Sequence, residues 1–270
     1  MDDPAGHTHK SGWWASGAAY EPYVGRWSRP VAREFLGWLA VPSGGRWLDV
    51  GCGTGALTES ILTVAAPEEV VGIDPSPAFV AFASDRVRDT RVEFEVGDAQ
   101  ALQGDSATFD ASVAGLVLNF VPEPEGAVSE MARVTRPGGT VAAYVWDYAE
   151  GMQMMRYFWD AAGVLDPRAR EFDEGRRFTL CRPKPLTELF RAVGLENVEI
   201  RAIEVPTVFR NFDDYWAPFL GGRAPAPAYA MSLSEERRAA LRERIRAGLP
   251  TNELGEHHLV ARAWAVRGVR

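Results

Sequence analysis

Apolar positions in this chain of 270 residues switch repeatedly between helical and extended spacing. Val31, Phe35, Trp38 and Leu39 form the stripe of a helix. Ser28 suits its cap, Pro30 its first turn, and Pro42-Ser43-Gly44-Gly45 ends it. Arg46 to Val50 then reads as a short strand running into Gly51-Cys52-Gly53-Thr54-Gly55. A helix follows from Thr54, with Leu57, Ile61 and Val64 or Ala65 inward. Val70-Val71-Gly72-Ile73 is a second buried strand, closed by Asp74. Ser76-Pro77 opens a helix that turns Phe79, Val80, Ala83 and Val87 to one side. Val92 to Val96 alternates apolar with acidic residues, as a strand near an edge does, and Gly97-Asp98-Ala99 ends it. Phe109 to Val117 is a fourth strand, Pro124 to Thr135 a helix, Pro137-Gly138-Gly139 a tight turn and Thr140 to Trp146 a fifth strand. Strand and helix alternate throughout, which predicts a parallel sheet with helices on both faces.

Beyond Trp146 the alternation loosens. Val198 to Val205 and Leu259 to Val266 read as strands, and a helix carrying Leu186, Leu189, Phe190 and Val193 precedes the first, with Gly194 as its stop. The block between these strands holds aromatics, a proline-rich turn at Ala224 to Ala228 and a helix from Ser234. It reads as an insertion in one sheet rather than a second domain.

Composition narrows the function classes. The residues are 46% hydrophobic and 24% charged, enough to bury a sizeable core, and the net charge is −8. That balance argues against nucleic acid or an anionic membrane as the main partner. Two cysteines, Cys52 and Cys181, make neither a disulfide framework nor a zinc site. Met1 to Gly12 lacks the apolar segment of a signal peptide, and no apolar run approaches the roughly 18 residues of a membrane span. A cytoplasmic protein is the expectation.

The glycine loop is the first candidate for chemistry. Gly51, Gly53 and Gly55 permit unusual backbone angles and let a ligand approach the main chain. Asp49 can accept hydrogen bonds from loop amides or a ligand ammonium. On its own the loop also satisfies the dinucleotide-binding fingerprint through Gly51, Gly53 and Ala56. Asp74, about 20 residues on, can accept from two ribose hydroxyls in either case. Asp98-Ala99 after the third strand favours an adenine edge, with the carboxylate accepting from the amino group and the Ala99 amide donating to a ring nitrogen.

These stretches, with Phe109 to Val121 and Arg133 to Thr140, cover roughly residues 46 to 146. In order and spacing they resemble the class I S-adenosylmethionine (SAM)-dependent methyltransferases that act on small molecules. The resemblance implies a Rossmann-like α/β fold with a mostly parallel seven-stranded sheet and a helical, aromatic insertion. It implies a single domain over 1–270: an N-terminal lid and helix at 1–45, a SAM-binding core at 46–146, and a substrate side at 147–270 with the insertion at about 206–255. By the same resemblance Gly51, Cys52, Gly53 and Gly55 lie along the methionine moiety, near Asp49. Asp74, Pro75 and Ser76 meet the ribose, Asp98 and Ala99 the adenine, and Leu116 lies beside the sugar. Arg26 would reach the SAM carboxylate. Where relatives often carry histidines after the fourth strand, this chain has Asn119 and Phe120, so an obvious base is missing.

Methyl transfer from a sulfonium needs alignment and exclusion of water more than proton transfer. Asp147, after the fifth strand, and Glu21 are the candidate bases; Asp173, His257 and His258 have less support, the histidines because their end of the last strand is expected to point away from the site. No metal is expected. Trp14, Tyr20, Tyr23, Asn119, Trp146, Tyr148, Met155, Trp159 and Trp216 are the candidates for contact with a small apolar or aromatic acceptor. The competing expectations are a SAM-binding regulatory protein of the same fold and an NAD(P)-dependent oxidoreductase. Oligomeric state is open.

Overall fold

The computed structural model describes residues 25–221 and 224–270. Seven strands form one sheet in the order β3-β2-β1-β4-β5-β7-β6. They are β1 (Arg46–Val50), β2 (Glu69–Asp74), β3 (Val92–Val96), β4 (Phe109–Gly115), β5 (Thr135–Trp146), β6 (Glu196–Phe209) and β7 (His257–Val269). Neighbouring pairs are parallel except those made by β7, which runs against both β5 and β6. The chain winds one way from β1 to β3, returns to β4 and winds the other way. The tips of β1 and β4 are therefore a topological switch point, where open α/β sheets hold their ligands.

Helices α1 (Arg26–Leu39) and α2 (Ala56–Val64) pack together, as do α4 (Pro124–Val134) and α7 (Pro183–Ala192). The crossover through α2 leads from β1 to one side of it and that through α4 from β4 to the other. Right-handed crossovers then place these helices on opposite faces. Between α2 and β3, α3 (Pro77–Arg86) starts at Ser76, whose hydroxyl accepts from the Phe79 amide at 3.4 Å. The fully buried Phe35 of α1 lies with its ring centroid 4.7 Å from that of Tyr144 in β5, so α1 braces the centre of the sheet. No described helix is long and apolar enough to cross a membrane.

Several boundaries differ from the sequence expectation, each for a tertiary reason. Helix α1 starts at Arg26, so Ser28 is a buried helical residue rather than the cap. Trp27 packs edge-on against Phe209 at 5.5 Å and holds the extra turn. Strand β5 begins at Thr135, and Pro137-Gly138-Gly139 is an irregularity within it, where the register with β4 shifts. The end of β7 pairs there, with Gly138 N–H donating to the Arg270 carbonyl at 2.8 Å. Strand β6 runs on through Pro206 to Phe209 because it is an edge strand, where the missing N–H of proline costs no ladder bond.

After β5 come α5 (Gln153–Leu165), a 3₁₀ turn at Pro167–Glu171 and the short α6 (Glu174–Arg177). The insertion between β6 and β7 holds α8 (Phe212–Trp216), α9 (Pro225–Ser232) and α10 (Glu235–Gly248). The expected proline-rich turn is helix α9, with Pro225 in its first turn, where proline is favoured. Phe35→Ala is expected to lower the unfolding free energy by about 3–5 kcal/mol in a denaturant titration, since it empties a fully buried ring position.

Candidate functional site

The glycine loop is held against two neighbouring strands. The amides of Gly51 and Cys52 donate to the Ile73 carbonyl at 2.7 and 3.0 Å, and Gly53 N–H donates to the Asp74 carboxylate at 3.0 Å. The second oxygen of that carboxylate accepts from Ser76 N–H at 2.9 Å. Asp74 thus ties the loop after β1 to the start of α3. Burial pushes its carboxyl up from the ordinary range, against the two amide bonds that lower it. Gly51 (φ 72°) fits because a Cβ there would lie 2.5 Å from the Val117 side chain. At Gly53 (φ 52°) the nearest atom of the described residues to an added Cβ is the Gly51 carbonyl oxygen at 3.9 Å, so among them the main chain borders open space.

A cleft of about 120 Å³ opens at the tips of β1, β2 and β4, and its lining includes this loop, Asp74 and Leu116. Leu116 sits at φ 62°, a left-handed angle that is costly for a branched residue and concentrates at functional sites. Its amide donates to the Tyr144 carbonyl at 2.8 Å. Beneath the loop, Asp49 is buried at the end of β1. One of its oxygens accepts from the Thr58 hydroxyl at 2.6 Å, and the other is buried with no partner among the described residues. Burial, with the nearby Asp74 charge, pushes the Asp49 carboxyl up to about 7.

The other sequence candidates fall in different places. Gly55 caps α2 and faces Val87 and Ala83 of α3, outside the lining. Pro75 is exposed, and Ser76 caps α3. Cys52 lines the cleft, but burial pushes its thiol far up, so it stays protonated. Asp98 lies just past β3 beside the Asp74 strand tip. It is exposed, accepts from Gln100, and with Ala99 falls outside the lining.

Arg26 has contacts outside the lining, while its Nε and Nη2 are buried with no partner among the described residues. It stacks over Trp27 and Phe209 at 4.8 and 4.5 Å and reaches Asp214 at 3.4 Å. Asp147 is no exposed base: it is buried, accepts from Glu150 N–H at 3.1 Å and pairs with Arg262 at 3.3 Å, fastening a turn to β7. Trp146, Tyr148, Met155, Trp159 and Trp216 are buried and do not line this cleft. Asn119 is buried, its amide nitrogen without a partner among the described residues, and also outside the lining. Trp14, Tyr20, Glu21 and Tyr23 lie outside the described residues.

His257 and His258 are not at the far end of the sheet, because β7 starts at the carboxyl edge. Even so, the His257 ring is taken up by the Pro250 carbonyl at 2.9 Å, and His258 meets Glu256 at 2.9 Å. The sequence reasoning passed over Ser28, Phe79, Phe120 and Tyr144 as lining residues. Tyr144 carried a usable signal. It is a lone tyrosine in a run of valine and alanine, and a Cβ on the facing Gly115 would lie 2.7 Å from its hydroxyl.

Comparison with known proteins follows the same core. Residues 48–143 match the family model described as "Methyltransferase domain". The chain is 30% identical over 208 residues to the ubiquinone biosynthesis O-methyltransferase of Burkholderia ambifaria (strain MC40-6), covering 74% of this chain and 84% of that protein. It is also 30% identical over 177 residues to the demethylmenaquinone methyltransferase of Roseiflexus sp. (strain RS-1), covering 61% and 73%. Among solved structures it resembles Haemonchus contortus phosphoethanolamine N-methyltransferase 2 in complex with S-adenosyl-L-methionine. There the TM-score is 0.56 and the identity 18%, over 97% of this chain and 57% of that one.

Asp74→Ala leaves the Gly53 and Ser76 amides without their acceptor. It is expected to lower stability by about 2 kcal/mol or more and to speed hydrogen exchange at both amides. Asp98→Ala, at an exposed turn, should change stability by less than about 0.5 kcal/mol.

Proposed function

Because the chain belongs to the class I SAM-dependent methyltransferases, we propose that it passes the methyl group to a small apolar or aromatic metabolite by in-line displacement. The observation that supports this acceptor is the make-up of the cleft. A glycine loop and one carboxylate meet Leu57, Leu116, Val117, Phe120 and Tyr144 at the switch point. SAM, when bound, supplies a methyl carbon on a sulfonium leaving group.

The residues fit that cofactor on two counts: the open space beside Gly53, and the unpartnered buried oxygen of Asp49. In the proposed arrangement Gly51, Cys52 and Gly53 run along the methionine moiety and Asp49 accepts from its ammonium. Asp74 accepts from the ribose hydroxyls with the lone pairs that Gly53 and Ser76 leave over. Leu116 puts its main chain beside the sugar, and Asp98 with Ala99 takes the adenine edge.

The remaining work is alignment and exclusion of water. The faces of Phe120 and Tyr144 suit a flat acceptor and add cation–π attraction of order 1 kcal/mol toward a sulfonium. Among the described lining residues the titratable ones are Cys52, Asp74 and Tyr144. No histidine or lysine is among the described lining residues, which fits an acceptor that loses its proton unaided; where the acceptor needs a base, Glu21, outside the described residues, stays the candidate. With a net charge of −8 the acceptor is read as a soluble metabolite rather than nucleic acid or a membrane, handled in the cytoplasm.

Calorimetry is expected to show SAM and S-adenosylhomocysteine binding at micromolar levels and no heat with NAD. NAD binding without SAM heat would overturn the reading. Asp74→Ala should weaken SAM binding by more than about 1 kcal/mol, the loss of a charge-assisted hydrogen bond.

The pH dependence has a definite sign. Only ionised Asp49 attracts the ammonium, and its carboxyl titrates near about 7. SAM affinity should therefore rise with pH below about 7, by at most about tenfold per unit, and level off above it. In Asp49→Asn that slope should vanish and affinity should stay low.

A further inference from the structure

A cleft of about 640 Å³ lies outside the site above, between α5 and the segment 166–182. Arg156 and Asp160 face it from successive turns of α5. Arg170 comes from the 3₁₀ turn, Asp173 from the start of α6, Arg176 from α6 itself and Arg182 from the cap of α7.

The floor is built, not merely crowded. Arg156 pairs with Asp173 at 2.6 Å, and the same carboxylate oxygen accepts from Gly175 N–H at 2.9 Å. Arg182 donates to the Gly175 carbonyl at 3.3 Å. A Cβ on Gly175 would lie 2.6 Å from the Tyr148 carbonyl, so this backbone sits tight against the loop after β5. The Arg156 Nε is buried without a partner among the described residues. Among the described residues, no carboxylate pairs with Arg170 or Arg176.

Four guanidinium groups against two carboxylates leave the lining with a net charge of +2. Glu174 lies beneath with its carboxylate taken by the Trp159 ring N–H, and burial pushes it up to about 7. That excess of positive charge in one cleft favours an anion there. Planar guanidinium forks match the oxygens of a phosphate or carboxylate through paired hydrogen bonds.

We infer that this arginine cleft is a binding site for a soluble phosphate monoester, a compact dianion that matches the net charge of its lining. It is a site apart from the cofactor cleft. Phe120, which lines the cofactor cleft, meets Phe178 at 5.3 Å, and Phe178 meets Tyr148 at 5.3 Å, with Ala149 of the arginine cleft next in sequence. These rings stand between the two. The inference does not rest on the acceptor proposed above.

The test titrates phenyl phosphate, inorganic phosphate and benzoate into the full chain by calorimetry, with and without saturating SAM. Phenyl phosphate is expected to bind more tightly than benzoate, with an affinity unchanged within about twofold by SAM. The doubly substituted Arg170→Gln/Arg176→Gln protein, altered only at exposed positions, should lose at least about tenfold in phosphate affinity and keep its SAM affinity. Arg201→Gln/Arg244→Gln removes the same charge from exposed positions outside the cleft and should change neither. The inference fails if no phosphate binding is seen at millimolar concentration or if benzoate binds as well as phenyl phosphate. It fails equally if both double variants lose affinity alike, or if SAM displaces the phosphate.

Discussion

The Asp74 carboxylate holds two loops from different strands in one geometry at the switch point. One oxygen takes the Gly53 amide and the other the Ser76 amide. Backbone amides in loops have no ladder to satisfy them, and a charged acceptor is about the strongest partner they can find. With the loop so fixed, Gly51 presses on Val117 while Gly53 faces open space. The cleft is therefore preformed by hydrogen bonds that involve no ligand, and each carboxylate oxygen keeps a lone pair for one.

That arrangement has an electrostatic cost, which shapes what the cleft accepts. Asp49 and Asp74 lie near each other with little solvent, and burial raises both carboxyls, Asp49 to about 7. An unfolded aspartate ionises near 3.8. Between these values the unfolded chain holds fewer protons at Asp49 than the folded one, so its contribution to stability falls as pH rises toward 7 and is flat above. A bound cation relieves the same penalty. A cofactor bearing an ammonium and a sulfonium is matched to this pair in a way that a pyrophosphate is not, a physical ground for preferring SAM to NAD in a loop whose glycine pattern serves either.

The strands and the loop were legible because they are local. The apolar runs ending at Asp49 (Trp47-Leu48) and Asp74 (Val70-Val71-Gly72-Ile73) have one good reading in a parallel sheet, and the glycines mark a turn that few other residues tolerate. What was hidden depends on contacts made far along the chain. Asp147 reads as a candidate base from its place after the fifth strand, but Arg262, 115 residues away, holds it. Arg26 looked available for a ligand until Phe209 and Asp214 were placed beside it. The aromatics after Trp146 misled for a simpler reason. The insertion packs on α5, and Phe158 of that helix stacked on Phe219 at 4.6 Å is part of the core they share.

The position of that insertion is a consequence of strand direction. Strand β6 is antiparallel to β7, and β7 is antiparallel to β5, so β6 points the same way as the five parallel strands. It must end at their carboxyl edge, and β7 must begin there. Trp146 at the tip of β5 pairs with Ala263, so residues 257–262 of β7 run on beyond that edge, beside the last residues of β6. Any segment placed between β6 and β7 is thereby delivered to the ligand end of the sheet, whatever its sequence.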